Sequence, residues 1–219
     1  MKKILILLMA LVLTLSVGYA TLASTMGVNV SKGMSAYVEY YDQKDYGWGP
    51  GIGFDWGIND KVKVGLLYEF EGDDKEDLYN GTYYAFDVRY ELVENLALTL
   101  KYDDEKDYGS NIILGIRAKK PLTDAFALTG KFEHSDFSAE DKSDYADGTN
   151  TLTFVGGEYY VTEAFAVNTG LNFYSDAESY SKGYTFGGEY NFEKICIYVD
   201  YDKFEGNDPK TTLGVSYSF

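Results

Sequence analysis

The side chains that could do chemistry here are carboxylates, ammonium groups and phenols: 35 Asp and Glu, 19 Lys and Arg and 22 Tyr, against one His and one Cys. Cys196 is alone, so neither an intramolecular disulfide nor a cysteine-based zinc site can form. Charges recur in phase inside otherwise apolar segments. Asp87-Val88-Arg89, Lys131-Phe132-Glu133 and Asp200-Tyr201-Asp202 each flank an apolar or aromatic residue with two charges that share a face when the chain is extended. The same phase takes in Glu39, Asp55, Lys63, Glu69, Lys101, Arg117, Glu158 and Glu189. Groups spaced in this way pair with one another, hold water and sort ions by sign; they do not assemble a nucleophile with its base. A chain with net charge −16 repels nucleic acid and anionic lipid, which argues against a nucleic-acid binder.

The element that gathers such residues on one face is a strand, whose side chains alternate with period two. A single unit repeats along the chain. An alternating run rises into a cluster of acidic and Gly residues, a second run returns, and a tight polar turn precedes the next rise. The tight turns are Ile58-Asn59-Asp60, Val93-Glu94-Asn95, Leu122-Thr123-Asp124, Val161-Thr162-Glu163 and Phe192-Glu193-Lys194. The longer clusters include GDDKEDLYNG, DEKDYGS, SDFSAEDKSDYADG and FEGNDPK. Five turns and six loops divide the chain into twelve strands over 33–42, 49–58, 61–71, 81–92, 96–104, 111–120, 125–135, 150–161, 164–175, 182–192, 195–204 and 210–219. The count becomes ten or fourteen if one hairpin is misread. Pro50 falls at a strand start, Pro121 at a tight turn and Pro209 in a loop, so no strand interior has to lose a ladder hydrogen bond.

Residues 1–20, MKKILILLMALVLTLSVGYA, read as a signal peptide. Lys2 and Lys3 precede an apolar core from Ile4 to Val17, and Gly18-Tyr19-Ala20 gives a small-x-small cleavage site. A second candidate cut lies after Ala23. The remaining 21–219 form one domain, and loss of the two leader lysines takes the net charge from −16 to −18.

Alternation alone does not say which face is inside. A ten-residue strand tilted about 45° covers roughly 23 Å, close to the apolar band of a membrane barrel. The apolar face is also graded. Trp56, Tyr90, Phe126, Tyr159, Phe165 and Tyr190 lie towards the tight turns, and Tyr40, Tyr68, Tyr102, Phe132, Phe173, Tyr184 and Tyr201 towards the long loops. Aliphatics such as Val38, Leu66, Leu98, Leu128, Leu171 and Val199 lie between them. Two aromatic belts around an aliphatic band answer a bilayer with two wet interfaces. Twelve strands closed around an apolar interior would leave a wide void, so the charged face is the one expected inside. Hydrocarbon forbids an open sheet edge, so the first strand should pair with the last.

That last strand, KTTLGVSYSF, sets Leu213, Val215, Tyr217 and Phe219 against Thr212, Gly214, Ser216 and Ser218 and ends on an aromatic. It resembles the closing strand of bacterial outer-membrane β-barrels, a resemblance that makes Tyr217 and Phe219 the signal read by the barrel-assembly machinery. With the leader and hairpin rhythm, nearly the whole mature chain resembles a small outer-membrane barrel of porin type: all-β, closed, antiparallel, up-and-down and transmembrane. In length and rhythm it is similar to the oligogalacturonate-specific porins. Those have arginine-rich lumens, whereas Arg89 and Arg117 are the only two arginines here. Some barrels of the outer membrane are lipid hydrolases with a His-x-Ser pair at the rim. In Glu133-His134-Ser135-Asp136 the place of that Ser is taken by Asp136, so no enzyme is expected.

The expected lumen carries Lys63, Arg89, Lys101, Arg117, Lys119 and Lys131 against twelve acids: Glu39, Asp55, Glu69, Glu71, Asp87, Glu91, Asp103, Glu133, Glu158, Glu189, Asp200 and Asp202. An acidic bore favours cations. The expectation is a narrow, cation-favouring diffusion pore for small solutes; the alternative is a non-conducting structural or adhesion barrel whose lumen is closed by ion pairs. The outer loop acids, Asp42, Asp45, Asp73, Asp74, Glu76, Asp77, Asp103, Asp104, Glu105, Asp107, Glu140, Asp141, Asp144, Asp147, Glu205 and Asp208, match no calcium-loop spacing, and neither a metal nor a cofactor is expected.

Overall fold

The computed structural model describes residues 32–43, 47–71, 81–106, 108–140, 147–176 and 180–219. The leader with its cleavage sites, and the loop acids Asp45, Asp73, Asp74, Glu76, Asp77, Asp107, Asp141 and Asp144, lie outside the described residues. Twelve strands follow in chain order: β1 Gly33–Gln43, β2 Gly47–Gly57, β3 Val62–Glu71, β4 Gly81–Val93, β5 Leu96–Glu105, β6 Gly109–Thr123, β7 Phe126–Ala139, β8 Gly148–Tyr160, β9 Phe165–Ser175, β10 Tyr180–Phe192, β11 Ile195–Phe204 and β12 Lys210–Ser218. Each pairs antiparallel with its sequence neighbours, and β1 pairs with β12 from Ser35↔Ser218 to Gln43↔Lys210, which closes the barrel. The described residues contain no helix, and every strand is within reach of a partner on both sides, as a hydrocarbon surround requires.

The tight turns form where the sequence supplies local acceptors. Asn59 Oδ1 accepts from the backbone N–H of Lys61 (2.8 Å) and Val62 (3.0 Å), and Thr162 Oγ1 from those of Ala164 (3.2 Å) and Phe165 (3.0 Å). Short polar side chains that satisfy backbone donors hold such turns. Asn95 (φ 65°) and Glu193 (φ 51°) take the left-handed conformation. Asn tolerates it; Glu does so only against its Cβ. Glu193→Gly is therefore expected to stabilise the barrel by about 0.5–1 kcal/mol, read as a higher denaturant midpoint for unfolding from lipid vesicles.

The strand ends depart furthest from expectation at one hairpin. β6 starts two residues earlier and runs to Thr123, and β7 continues to Ala139, so that hairpin stands well beyond a bilayer-spanning length. Its outward residues there turn polar: Ser110 pairs with Ser138, and Asp136 stands opposite the last aliphatic, Ile112. Asp136, expected to open the longest loop, is thus on a strand, as is Glu105, one residue beyond the expected end of β5. Charged residues above the lipid continue the ladder without cost, which is why polarity misplaced the ends. Pro50 and Pro121 also fall within strands. Both are tolerated because one neighbouring ladder is not yet formed there: β2–β3 pairing begins at Gly51, and β5–β6 pairing stops at Ala118.

Candidate functional site

The alternation of burial separates two faces. On the outer face lie all the aromatics expected in belts. Tyr40, Trp56, Tyr68, Tyr90, Phe132, Tyr159, Tyr184 and Tyr190 are exposed, as are Tyr102 and Phe165, while Phe126, Phe173 and Tyr201 are partly covered by neighbours. Several meet as ring pairs, Tyr68–Phe70 edge-on at 4.9 Å and Tyr184–Tyr201 stacked at 6.1 Å. Phe132 stands in the middle of β7, since that strand runs on to Ala139. Tyr217, only 6% exposed, packs edge-on against Phe219 at 5.3 Å beside the closing strand pair. His134 is exposed on the outer face and Ser135 points to the other, so the two cannot form a dyad.

On the opposite face charged side chains are buried beside small and aromatic ones such as Ala97, Ala127 and Phe154, which is the arrangement of a narrow barrel interior. The six inward bases each reach a carboxylate. Lys63 Nζ lies 2.6 Å from Asp55, Arg89 Nε 2.9 Å from Asp87, Lys101 Nζ 2.8 Å from Asp103 and Lys119 Nζ 2.8 Å from Glu158. Glu133 is shared, its Oε1 3.1 Å from Arg117 Nη2 and its Oε2 3.1 Å from Lys131 Nζ. Desolvated charges persist when they are paired in this way. The bases all stand on β3–β7. Around β8–β12 and β1, among the described residues, the inner face presents Glu39, Glu158, Glu189, Asp200 and Asp202, with Lys210 at the loop end as its one base. One wall of the narrow space therefore carries paired charges of both signs, and the opposite wall is mainly acidic.

Glu69, 6% exposed, is on the inner face of β3, and Glu91 on that of β4; Glu71 ends β3, its side chain not among those described. A cavity of about 270 Å³ opens between the walls, lined among others by Tyr37, Glu39, Asp55, Lys63, Arg89, Arg117, Glu133 and Tyr198.

Tyr37, Tyr198 and Phe154 were not singled out in the sequence, yet they shape this interior. Each ring lies on the wall where the facing strand has glycine: Tyr37 over Gly53, Tyr198 over Gly214, and Phe154 over Gly170, with Gly156 of its own strand also beneath it. Tyr198 Oη donates to Glu39 Oε2 at 2.6 Å across the whole of β12. The signal was present in the inward phase of these aromatics and in the inward glycines of WGPGIGFDWG, but it needs the pairing register to be read. Among the described residues no group of three His, Cys, Asp or Glu is disposed to hold a metal ion.

A model of the Gram-negative porin family matches residues 13–209. Among solved structures the barrel is similar to KdgM porin (12% identity, 84% of this chain and 99% of that one, TM-score 0.63). It is also similar to NanC porin (11%, 85% and 100%, TM-score 0.64) and to the CymD monoaromatic hydrocarbon channel (10%, 93% and 95%, TM-score 0.51). At these identities the likeness is one of fold. No curated protein matches the chain in sequence.

Proposed function

We propose that this chain, which belongs to the Gram-negative porin family, is an outer-membrane channel that lets small solutes diffuse passively and favours cations. One observation carries the preference: the six inward bases of β3–β7 are each already neutralised by a carboxylate, while Glu39 and Glu189 on the far wall have no basic partner among the described ion pairs, and the one base there, Lys210, stands at the loop end opposite Asp202. The uncompensated charge in the bore is negative, and a ring of uncompensated acids lowers the energy of a passing cation and raises that of an anion. The cavity of about 270 Å³ suits small solutes rather than polymers. The aromatic outer face would contact outer-membrane lipid, and Tyr217 and Phe219 at the end of β12 would be what the barrel-assembly machinery grips. We assign no catalytic step to any residue.

Single-channel recording in planar bilayers tests this reading. Discrete steps and a reversal potential of cation sign in a salt gradient are expected. Anion preference would refute the selectivity. A specific observation favours a second reading, a closed structural barrel: all six bases of β3–β7 are engaged by carboxylates along the wall, and paired charges in a narrow bore can seal it. Electrical silence of correctly folded protein would leave that reading in place.

A further inference from the structure

Strand phase turns two long aliphatic side chains inward, where no lipid covers them. Among the described residues of β1–β7, Leu67 on β3 and Ile113 on β6 are the only ones of that kind on the inner face, and both line the cavity. Each is only half-buried. Tyr37, Gly53, Leu67 and Ala85 stand in one cross-strand row from β1 to β4, and the Tyr37 ring covers Gly53 on the way to Leu67. Leu67 Cδ1 comes within 3.4 Å of where a Cβ of Gly51 would stand, and the Cγ methylenes of Glu39 and Glu69 are each 3.1 Å from that point. Ring, methyl and methylene carbons therefore form one apolar strip. Ile113 pairs with Lys101, whose ammonium is drawn off to Asp103 (2.8 Å) and over the Tyr83 ring (5.2 Å to its centroid).

The charges around this strip are already committed. Lys63 is held by Asp55, Arg89 by Asp87 and Arg117 by Glu133, and Glu39 accepts from the Tyr198 hydroxyl. A charged solute would have to displace one of these partners. What the cavity still offers is half-buried apolar surface and the Tyr37 hydroxyl, which has no hydrogen-bond partner among the described residues. Apolar surface left open to water gains when a hydrocarbon body covers it, and a polar group beside it fixes the head of the ligand. A dry cavity of about 150 Å³ takes benzene, so one of about 270 Å³ has room for a six-membered ring with a hydroxyl.

We propose that Leu67, Ala85, Ile113 and the Tyr37 ring form a subsite for small uncharged solutes with a compact hydrocarbon body, about the size of a six-membered ring, and one hydroxyl or carbonyl head. This deepens the channel reading and rests on it, because the solute reaches the cavity through the bore. To the ions that the bore passes it adds a class of molecule chosen by apolar surface rather than by charge.

Calorimetric titration of the folded barrel in detergent micelles tests it without requiring conductance, with protein-free micelles as the blank. The probes are cyclohexanol and tetrahydropyran-4-ol, which share shape and hydroxyl but differ by a ring methylene against an ether oxygen. Cyclohexanol is expected to bind the wild type, and tetrahydropyran-4-ol about tenfold more weakly. Leu67→Asn, which keeps the shape of the side chain, should weaken cyclohexanol about fivefold and close most of the gap between the probes. Leu152→Asn, on the inner face of β8 but outside the cavity lining, should leave both unchanged. Should Leu67→Asn fail to fold, Ile113→Thr carries the comparison. Equal affinity for the two probes, no heat above the blank, or wild-type affinity in both cavity variants overturns the subsite. Binding of cyclohexanol in an electrically silent barrel removes the channel and keeps the subsite, while a conducting barrel blind to it does the reverse.

Discussion

Glu133→Gln is expected to move the permeability ratio of the bore about tenfold towards anions. Among the described ion pairs Glu133 is the carboxylate shared by two bases, Arg117 on β6 and Lys131 on its own strand, each 3.1 Å away. Glutamine keeps the shape and a hydrogen-bond acceptor but removes the charge, so both cations are left facing the cavity that Glu133 and Arg117 line. At about 5 Å a unit charge changes the energy of a passing ion by about 1 kcal/mol in a medium like water and about 3 kcal/mol at an effective dielectric near 20. A narrow wet bore lies between these limits, which gives the roughly tenfold shift. The reversal potential in a salt gradient reads it directly. The exposed Glu163→Gln, which removes the same formal charge from a turn, should leave the ratio where it was. If the two variants behave alike, the lumen charge is not what selects ions. The variant also leaves two buried bases short of a partner, so about 1–3 kcal/mol of stability should go with the charge.

Which side of each strand carries its charges could be read from the sequence because one period governs every segment. Once Asp87 and Arg89 face inward, Val88 and Tyr90 must face outward, and the rule holds around the barrel. Three of the ion pairs were also within reach of the sequence, since Arg89–Asp87, Lys101–Asp103 and Lys131–Glu133 join residues two apart on one strand. The others depend on register. Lys119 pairs with Glu158 two strands away, past β7, where Thr129 stands beside Lys119 and Ala127 beside Glu158; both intervening residues are small. No count of acids and bases yields that, nor the separation of bases on β3–β7 from the acid-only stretch of β9–β11. The rings on the wall were hidden for a related reason. A tyrosine on an inward phase can extend into the lumen or lie on the wall, and only the glycine facing it in the next strand decides which.

Gly214→Val is expected to destabilise the barrel by about 3–5 kcal/mol. The seam between β1 and β12 is the only pairing made by the two ends of the sheet. Tyr198 braces it from within. The ring starts on β11, crosses β12 where Gly214 leaves room, and donates to Glu39 on β1. A Cβ at 214 would stand among the Cε1, Cζ and Oη atoms of that ring. Valine must therefore lift the ring off the wall, which costs the overpacking strain of about 1–3 kcal/mol and a charge-assisted hydrogen bond of about 1.5–3 kcal/mol. Tyr198→Phe loses only the second of these and should fall between wild type and Gly214→Val. Adding Tyr198→Ala to Gly214→Val removes the collision, so the double variant should be more stable than the sum of the two changes predicts. Denaturant unfolding from vesicles, followed by the fluorescence of Trp48 and Trp56 on the neighbouring β2, gives the order. A Gly214→Val barrel that unfolds at the wild-type midpoint would mean that the ring is not seated on the wall and that the seam is held by its backbone ladder alone.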